Sequence, residues 1–228
     1  MKYPGKELEV FDKAIVFQKY TYFIIKKYFK GKSFEVGAGL GAFTRNYINK
    51  KRKIYLNDLD PYNYKFLKKK YAAYKNIIIT KKKLQNINTK FDTIIYLNVL
   101  EHIFKDKIEI IKASEKMKKG GYLIFLVPAH QELYSKFDKA IGHYRRYDLK
   151  FFKSNNFKNL KLKKLIYLDM VGYFLYFLNK FFFKEEVYPS PFKIFLWDKV
   201  FTPITIVLDF LTNYKFGKNV LCVYKKSS

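Results

Sequence analysis

Short runs rich in Ile, Val, Phe and Tyr alternate with longer stretches of helical spacing along most of this chain. That alternation constrains the fold more than anything else in the sequence. Parallel strands need a long crossover between them, so the pattern implies a mostly parallel sheet with helices on its faces. Ser33 to Val36, Ile54 to Asn57, Ile77 to Thr80, Phe91 to Leu97 and Tyr122 to Val127 read as strands. About Leu160 to Tyr167 and Asn219 to Tyr224 complete a sheet of seven. One helix is expected over about Asp12 to Lys30, where Phe17, Tyr20, Ile24 and Tyr28 share a face. A second is expected over about Ala42 to Asn49, and a third from Asp60-Pro61, an N-cap with a first-turn proline. A fourth begins at the capping pair Asp106 and Glu109 and stops at Gly120-Gly121. The segment 170–215, dense in aromatics, breaks the alternation and reads as an inserted helical cap.

With 228 residues, no repeat and no low-complexity linker, 1–228 reads as one domain: a core over 30–130, a lid loop over 130–147 and the cap. One cysteine, Cys222, excludes a disulfide framework and fits a reducing compartment. The longest apolar run, Leu165 to Phe183, is interrupted by Asp169, Asn179 and Lys180, so no spanning helix is expected. The first residues lack the apolar stretch of a secretory signal, and the expected location is the cytoplasm. Lys plus Arg number 46 against 19 Asp plus Glu, a net charge of +27. Such an excess suits nucleic acid or an anionic membrane surface. Yet only Arg45, Arg52, Arg145 and Arg146 are arginines, and the lysines are scattered among Tyr, Phe, Ile and Asn, the bias of AT-rich coding. Charge alone therefore selects no partner.

The richest local motif is Glu35-Val-Gly37-Ala-Gly39-Leu-Gly41-Ala42, between a strand and an expected helix. Glycines there allow a sharp turn and close approach of a ligand to the backbone. About 20 residues on, Asp58 ends the next strand, placed to accept hydrogen bonds from ribose hydroxyls. Gly37, Gly39 and Ala42 also satisfy the dinucleotide spacing. Glu35 argues against that ligand, because a carboxylate attracts an ammonium and repels a pyrophosphate. The amino-acid end of S-adenosylmethionine (SAM) supplies such an ammonium.

These motifs, with Asp58-Leu-Asp60-Pro61, Phe91 to His102 and Gly120 to Pro128, resemble those of class I SAM-dependent methyltransferases. Tyr134 to Tyr147 and the tail from Phe216 are similar to a bacterial subgroup often encoded beside, or fused to, sugar-transferring enzymes. The likeness spans about residues 30 to 226. It implies a Rossmann-like fold and SAM as cofactor, with S-adenosylhomocysteine (SAH) as product. It also implies that Gly37, Gly39 and Gly41 line the methionine, Glu35 its amino group, Asp58 and Leu59 the ribose side, and Asn98 the transferable methyl. A glycosyltransferase partner is an expectation of the same kind. One departure stands out. The acid usual after the third strand is replaced by Thr80-Lys-Lys-Lys-Leu84, which leaves adenine to backbone groups around Leu84 and Gln85.

Methyl transfer is an in-line displacement in which the protein positions the partners and removes a proton where needed. His143 and His130 are the candidate bases, both following strand ends on the expected ligand side. His102 and Glu101 read instead as a turn fixed by an Asn98-x-x-Glu101 capping box. Tyr144, Arg145 and Arg146 are the candidate acceptor contacts, an arginine serving as anion clamp, unless one pairs with Asp138 or Asp148 to order the loop. No metal site is expected. The aromatics of 170–183 and Phe192 to Phe210, flanked by lysines, either pack on the sheet or lie on a membrane and grip a lipid-linked acceptor.

The expected activity is methylation of a hydroxyl, or an amine, on a small-molecule, sugar or lipid-linked acceptor. An RNA-modifying enzyme, a silent SAM-fold binding protein and a nicotinamide oxidoreductase are the alternatives. Nucleic acid is disfavoured because the fourth strand ends in Asn98-Val-Leu, without the Asn/Asp-Pro-Pro-aromatic box of base amino-group methylation.

Overall fold

The computed structural model describes residues 3–5, 7–182 and 187–227, and for 180–182 the backbone alone. Strands β1 (Ser33–Val36), β2 (Ile54–Asn57), β3 (Ile77–Thr80), β4 (Phe91–Leu97), β5 (Met117–Pro128), β6 (Leu160–Leu168) and β7 (Asn219–Lys226) form one sheet in the order β3-β2-β1-β4-β5-β7-β6. Only β7 runs antiparallel, inserted between β5 and β6. The expected seven-stranded, mostly parallel sheet is present. Chain direction across the sheet reverses between β1 and β4, and the crevice beyond their carboxyl ends is where α/β sheets bind ligands.

Strand periodicity sorts the core into two layers. Phe34, Ile94, Tyr96 and Phe125 enter one buried cluster, while Ile54, Leu56, Ile95 and Ile124 enter the other. Glu35 follows Phe34 on β1, and its carboxylate is buried at 3% exposure.

The expected N-terminal helix is broken into α1 (Leu8–Asp12) and α2 (Ile15–Ile25), separated at Lys13 and Ala14. The helix expected after the glycine loop is absent. Residues 44–46 make a single 3-10 turn, and the chain then leaves for β2. Phe43, Thr44 and Tyr47 are all buried, and so short a segment gains little from helix propensity once its side chains are fixed inward. Helix α3 (Pro61–Lys70) starts as expected, with the Asp60 carboxylate accepting from the Tyr62 and Asn63 amides. Helix α4 (Asp106–Glu115) has Lys105 at its N-cap with no side-chain cap, so Asp106 and Glu109 do not cap it. It also ends before the glycine pair, which lies inside β5. Gly120 has φ +76°, and a Cβ on Gly121 would lie 2.9 Å from the Lys118 carbonyl and 3.0 Å from that of Asp92. The pair bends a strand. Short helices α5 (Lys136–Ala140) and α6 (Leu149–Ser154) precede β6.

The aromatic segment is helical: α7 (Met170–Phe182), α8 (Pro191–Leu196), a π turn over Trp197–Phe201, and α9 (Thr202–Leu211). Phe183 and Lys184 of that run lie outside the described residues. No helix among the described residues is long and apolar enough to cross a membrane.

Candidate active site

A cavity of about 790 Å³ opens at the carboxyl end of the sheet. Glu35, Gly37 and Gly39 line one side, Asn98 and Glu101 the floor, His143 and Arg146 the other side, and Tyr176 and Trp197 of the cap a further wall.

The glycine loop owes its shape to positive φ at Gly37 (+61°), Gly39 (+55°) and Gly41 (+69°). Any other L residue is strained there. A Cβ on Gly37 would meet the Val99 side chain at 2.7 Å, and one on Gly41 the Tyr71 ring at 2.7 Å. At Gly39 the first contact is the Leu8 side chain at 3.7 Å, so this backbone faces open space under the N-terminal segment. Gly41 faces Tyr71 and does not line the cavity, against expectation.

Glu35 is fully buried beside the loop. One carboxylate oxygen accepts from Thr44 Oγ1 at 2.7 Å and from the Tyr47 hydroxyl. Burial pushes its carboxyl up to about 7, although both hydroxyls and the distant Lys70 charge oppose the shift. An ammonium brought to this carboxylate would relieve the cost of burying it.

Asp58 is placed differently from expectation. Its oxygens accept from the Gly39 amide at 2.8 Å and the Asp60 amide at 2.9 Å, so it ties the second strand to the glycine loop. Asp58 and Leu59 lie outside the cavity lining. Beside them, Asn57 Nδ2 donates to the Lys82 carbonyl. Gln85 donates to Glu109 and Leu84 is buried, so this side offers backbone groups and apolar surface. Asn98 follows β4 with φ +52° and lines the cavity.

At the opposite end stands a buried polar chain. Asp138 accepts from His143 Nδ1 at 2.7 Å, from Arg146 Nε and Nη2 at 3.0 and 2.8 Å, and from Ser135. Burial pushes the Asp138 carboxyl up, but the His143 hydrogen bond and the Arg146 charge outweigh it and hold it well below the usual carboxylate range. The bond at Nδ1 leaves His143 Nε2 facing Glu101 Oε1 at 3.7 Å. Both Glu101 oxygens are buried without a hydrogen-bond partner among the described residues. Burial raises the Glu101 carboxyl to about 7 and, with His143 close by, lowers His102 to about 4.

Sequence reasoning missed Glu101. The capping box assigned to it does not form, and the residue instead sits on the cavity floor. Its signal in the sequence was an acid just past the end of β4; in the fold it sits within the 3-10 turn Leu100–His102. Glu101, His102 and His143 each place one ligating atom within 4.8 Å of the others, a spacing at which a single ion could bridge them.

The remaining candidates lie elsewhere. His130, at φ +66°, bonds the Gly217 carbonyl through Nε2 and stacks on Tyr167, outside the cavity. Arg145 pairs with Asp106 at 3.0 Å and caps the Phe104 carbonyl, with Tyr144 against the Phe104 ring. Neither reaches the cavity. Arg146 does, and its guanidinium is hydrogen-bonded to Asp138, the pairing that orders the loop.

The model of a methyltransferase domain family matches residues 34–123, from β1 into β5. A search of curated proteins finds no match. Among solved structures, the chain is similar to coclaurine N-methyltransferase bound to N-methylheliamine and SAH, at 13% identity and TM-score 0.64, covering 93% of this chain and 70% of that one. It is also similar to the N-methyltransferase NodS from Bradyrhizobium japonicum in complex with SAH, at 12% identity and TM-score 0.56, over 92% and 85% of the two chains. The CurJ carbon methyltransferase matches at 12% identity and TM-score 0.58, over 94% and 54%. At these identities the shared property is the fold.

Proposed function

We propose that this chain, a class I SAM-dependent methyltransferase, methylates a hydroxyl group on an acceptor that enters the cavity beside the cap. The observation that carries the reading is the Asp138–His143 pair, which faces the glycine loop across one continuous cavity.

The residues present fit the methionine half of SAM: an open glycine backbone at Gly39 and a buried carboxylate at Glu35. Glu35 would hold the amino group and the loop the chain beyond it, with the adenosine side left to backbone around Leu84. When bound, SAM supplies a methyl group on an electrophilic sulfonium. The protein orients the acceptor and receives its proton. His143 Nε2 is the acceptor for that proton, while Asp138 keeps the Nδ1–H tautomer in place and stabilises the imidazolium that forms. Arg146 in turn holds Asp138. His143 is the catalytic residue of this scheme, and Asp138 and Arg146 are positioning residues. A base of this kind contributes roughly 10²–10⁴-fold in rate. His143→Ala should therefore lower kcat by that order and leave SAH affinity unchanged. A drop in SAH affinity equal to the drop in kcat would mean a folding role instead.

Glu101 favours a second reading, an amine acceptor. Its two unpartnered oxygens suit the N–H donors of an ammonium or amine. A screen of paired alcohols and amines on one scaffold separates the two, and Glu101→Gln should weaken amine acceptors selectively.

A further inference from the structure

Helix α9 is built inside out. Its buried face is polar, with Thr202, Thr205 and Asp209 all at 0% exposure. Its outward face is apolar: Ile204, Val207, Phe210 and Leu211 are exposed at 48, 56, 71 and 70%. The buried face is fully used. Asp209 accepts from the Tyr20 hydroxyl and from the Asp169 and Met170 amides, and Thr202 donates to the Trp197 carbonyl. The helix is thus locked in this orientation by hydrogen bonds: rotation would carry Asp209 out to solvent and leave the Tyr20 hydroxyl and the Asp169 and Met170 amides without their acceptor.

The same exposure continues onto its neighbours. Helix α7, which packs against α9, exposes Phe174 and Phe177, and α8 exposes Phe192 and Phe195. Fourteen of the 22 exposed large apolar side chains among the described residues lie between 174 and 216, so this surface is a concentration and not the ordinary scatter. Its charge is one-sided. Among the described residues from 170 to 227 the only acids are Asp198 and Asp209, at 1% and 0% exposure; Lys199 pairs with Asp198 at 2.9 Å, while Lys193 and Lys215 are exposed. Glu185 and Glu186 lie outside the described residues.

We propose that this face docks on an anionic lipid bilayer, with its phenylalanines and leucines in the headgroup boundary and its lysines against the lipid charge. Apolar anchors rimmed by lysine are what an interfacial surface needs. A second copy of the chain is the poorer occupant, since each copy carries +27. Helices α7 and α8 also wall the cavity through Leu175, Tyr176 and Ile194, so docking brings its mouth to the membrane. Resting on the reading of that cavity as the acceptor site, the substrate class is a hydroxyl compound carried on a lipid.

The test is co-sedimentation of the full chain with vesicles of phosphatidylcholine alone or mixed with phosphatidylglycerol, alongside SAH titration of the same samples. Binding is expected to the anionic vesicles and to weaken with salt. Phe210→Glu with Leu211→Glu should abolish it and leave SAH affinity and melting temperature unchanged. Ile111→Glu, an exposed residue on α4, should bind as the parent does. Replacing Lys215 by Gln should weaken binding by about fivefold. Absence of binding to anionic vesicles at low salt, or equal binding by the double glutamate variant, would overturn the proposal. So would a dimer in sedimentation equilibrium that the same variant dissociates. SAH binding by all these proteins keeps a failed membrane result separate from a failed cofactor assignment.

Discussion

Asp138→Asn isolates the group on which the His143 and Arg146 end of the cavity depends. In the parent protein one carboxylate accepts from two nitrogens of Arg146, from His143 and from Ser135. The Arg146 side chain is 3% exposed, and among the described residues its contacts besides Asp138 are the Ala129 carbonyl at 3.3 Å and the Tyr176 ring at 4.5 Å. Removing the negative charge leaves a buried guanidinium without a counter-ion, which costs about 3–5 kcal/mol. Asparagine retains one acceptor oxygen, so the lower end applies. At this chain length about 3 kcal/mol lowers the melting temperature by roughly 6–12 °C. Thermal unfolding at neutral pH, followed by circular dichroism, measures it. Because the Asp138 carboxyl is held low in the fold, its contribution is present above the ordinary aspartate pKa and is lost on acidification, so the gap between variant and parent should shrink in acid. The double variant Asp138→Asn with Arg146→Met should recover part of the loss. A shift under 1 kcal/mol, or strict additivity in the double variant, would refute the ion-pair argument.

Glu35→Gln tests burial of the other carboxylate. With its pKa raised from 4.5 to about 7, the parent is stabilised below pH 4.5 and loses about 3 kcal/mol as pH rises to neutrality. The variant should lack that share of the decline in a pH series of melts, and should bind SAH more weakly. Gly37→Ala meets both a positive φ and a contact 2.7 Å from Val99, so it should lose roughly 1–3 kcal/mol and SAH affinity together. Arg145→Ala should leave acceptor KM unchanged, since its partners are Asp106 and Phe104 outside the cavity. A KM increase would return it to the site.

The sheet was legible because buried strands declare themselves locally. The first four strands match their sequence boundaries, and Asp60-Pro61 marks a helix start by a chemistry confined to four residues. The glycine loop and Glu35 were legible for the same reason. What failed depended on distant partners. Thr44 and Tyr47 turn inward because a buried carboxylate needs their hydroxyls, and no helix forms. Gly120-Gly121 reads as a helix stop until the Asp92 carbonyl of the neighbouring strand is seen against it. Arg146 and Asp138 are eight positions apart, and which arginine of the adjacent pair turns inward is decided by the fold around it. The inverted polarity of α9 was invisible, since Asp209 gains its meaning from Tyr20, 189 positions away.

The proposed SAM site is the glycine loop with Glu35. Calorimetric titration of the purified chain with SAH, paired with thermal melts in SAM, SAH and NAD, tests it most directly. One site is expected for the two adenosyl compounds and none for NAD. Ligand at 100 times Kd adds about 2.7 kcal/mol, or roughly 5–10 °C. Asp58→Ala, which frees the Gly39 amide from its tether, should reduce the binding. No heat and no melting shift with either adenosyl compound would contradict the account, as would a shift with NAD alone.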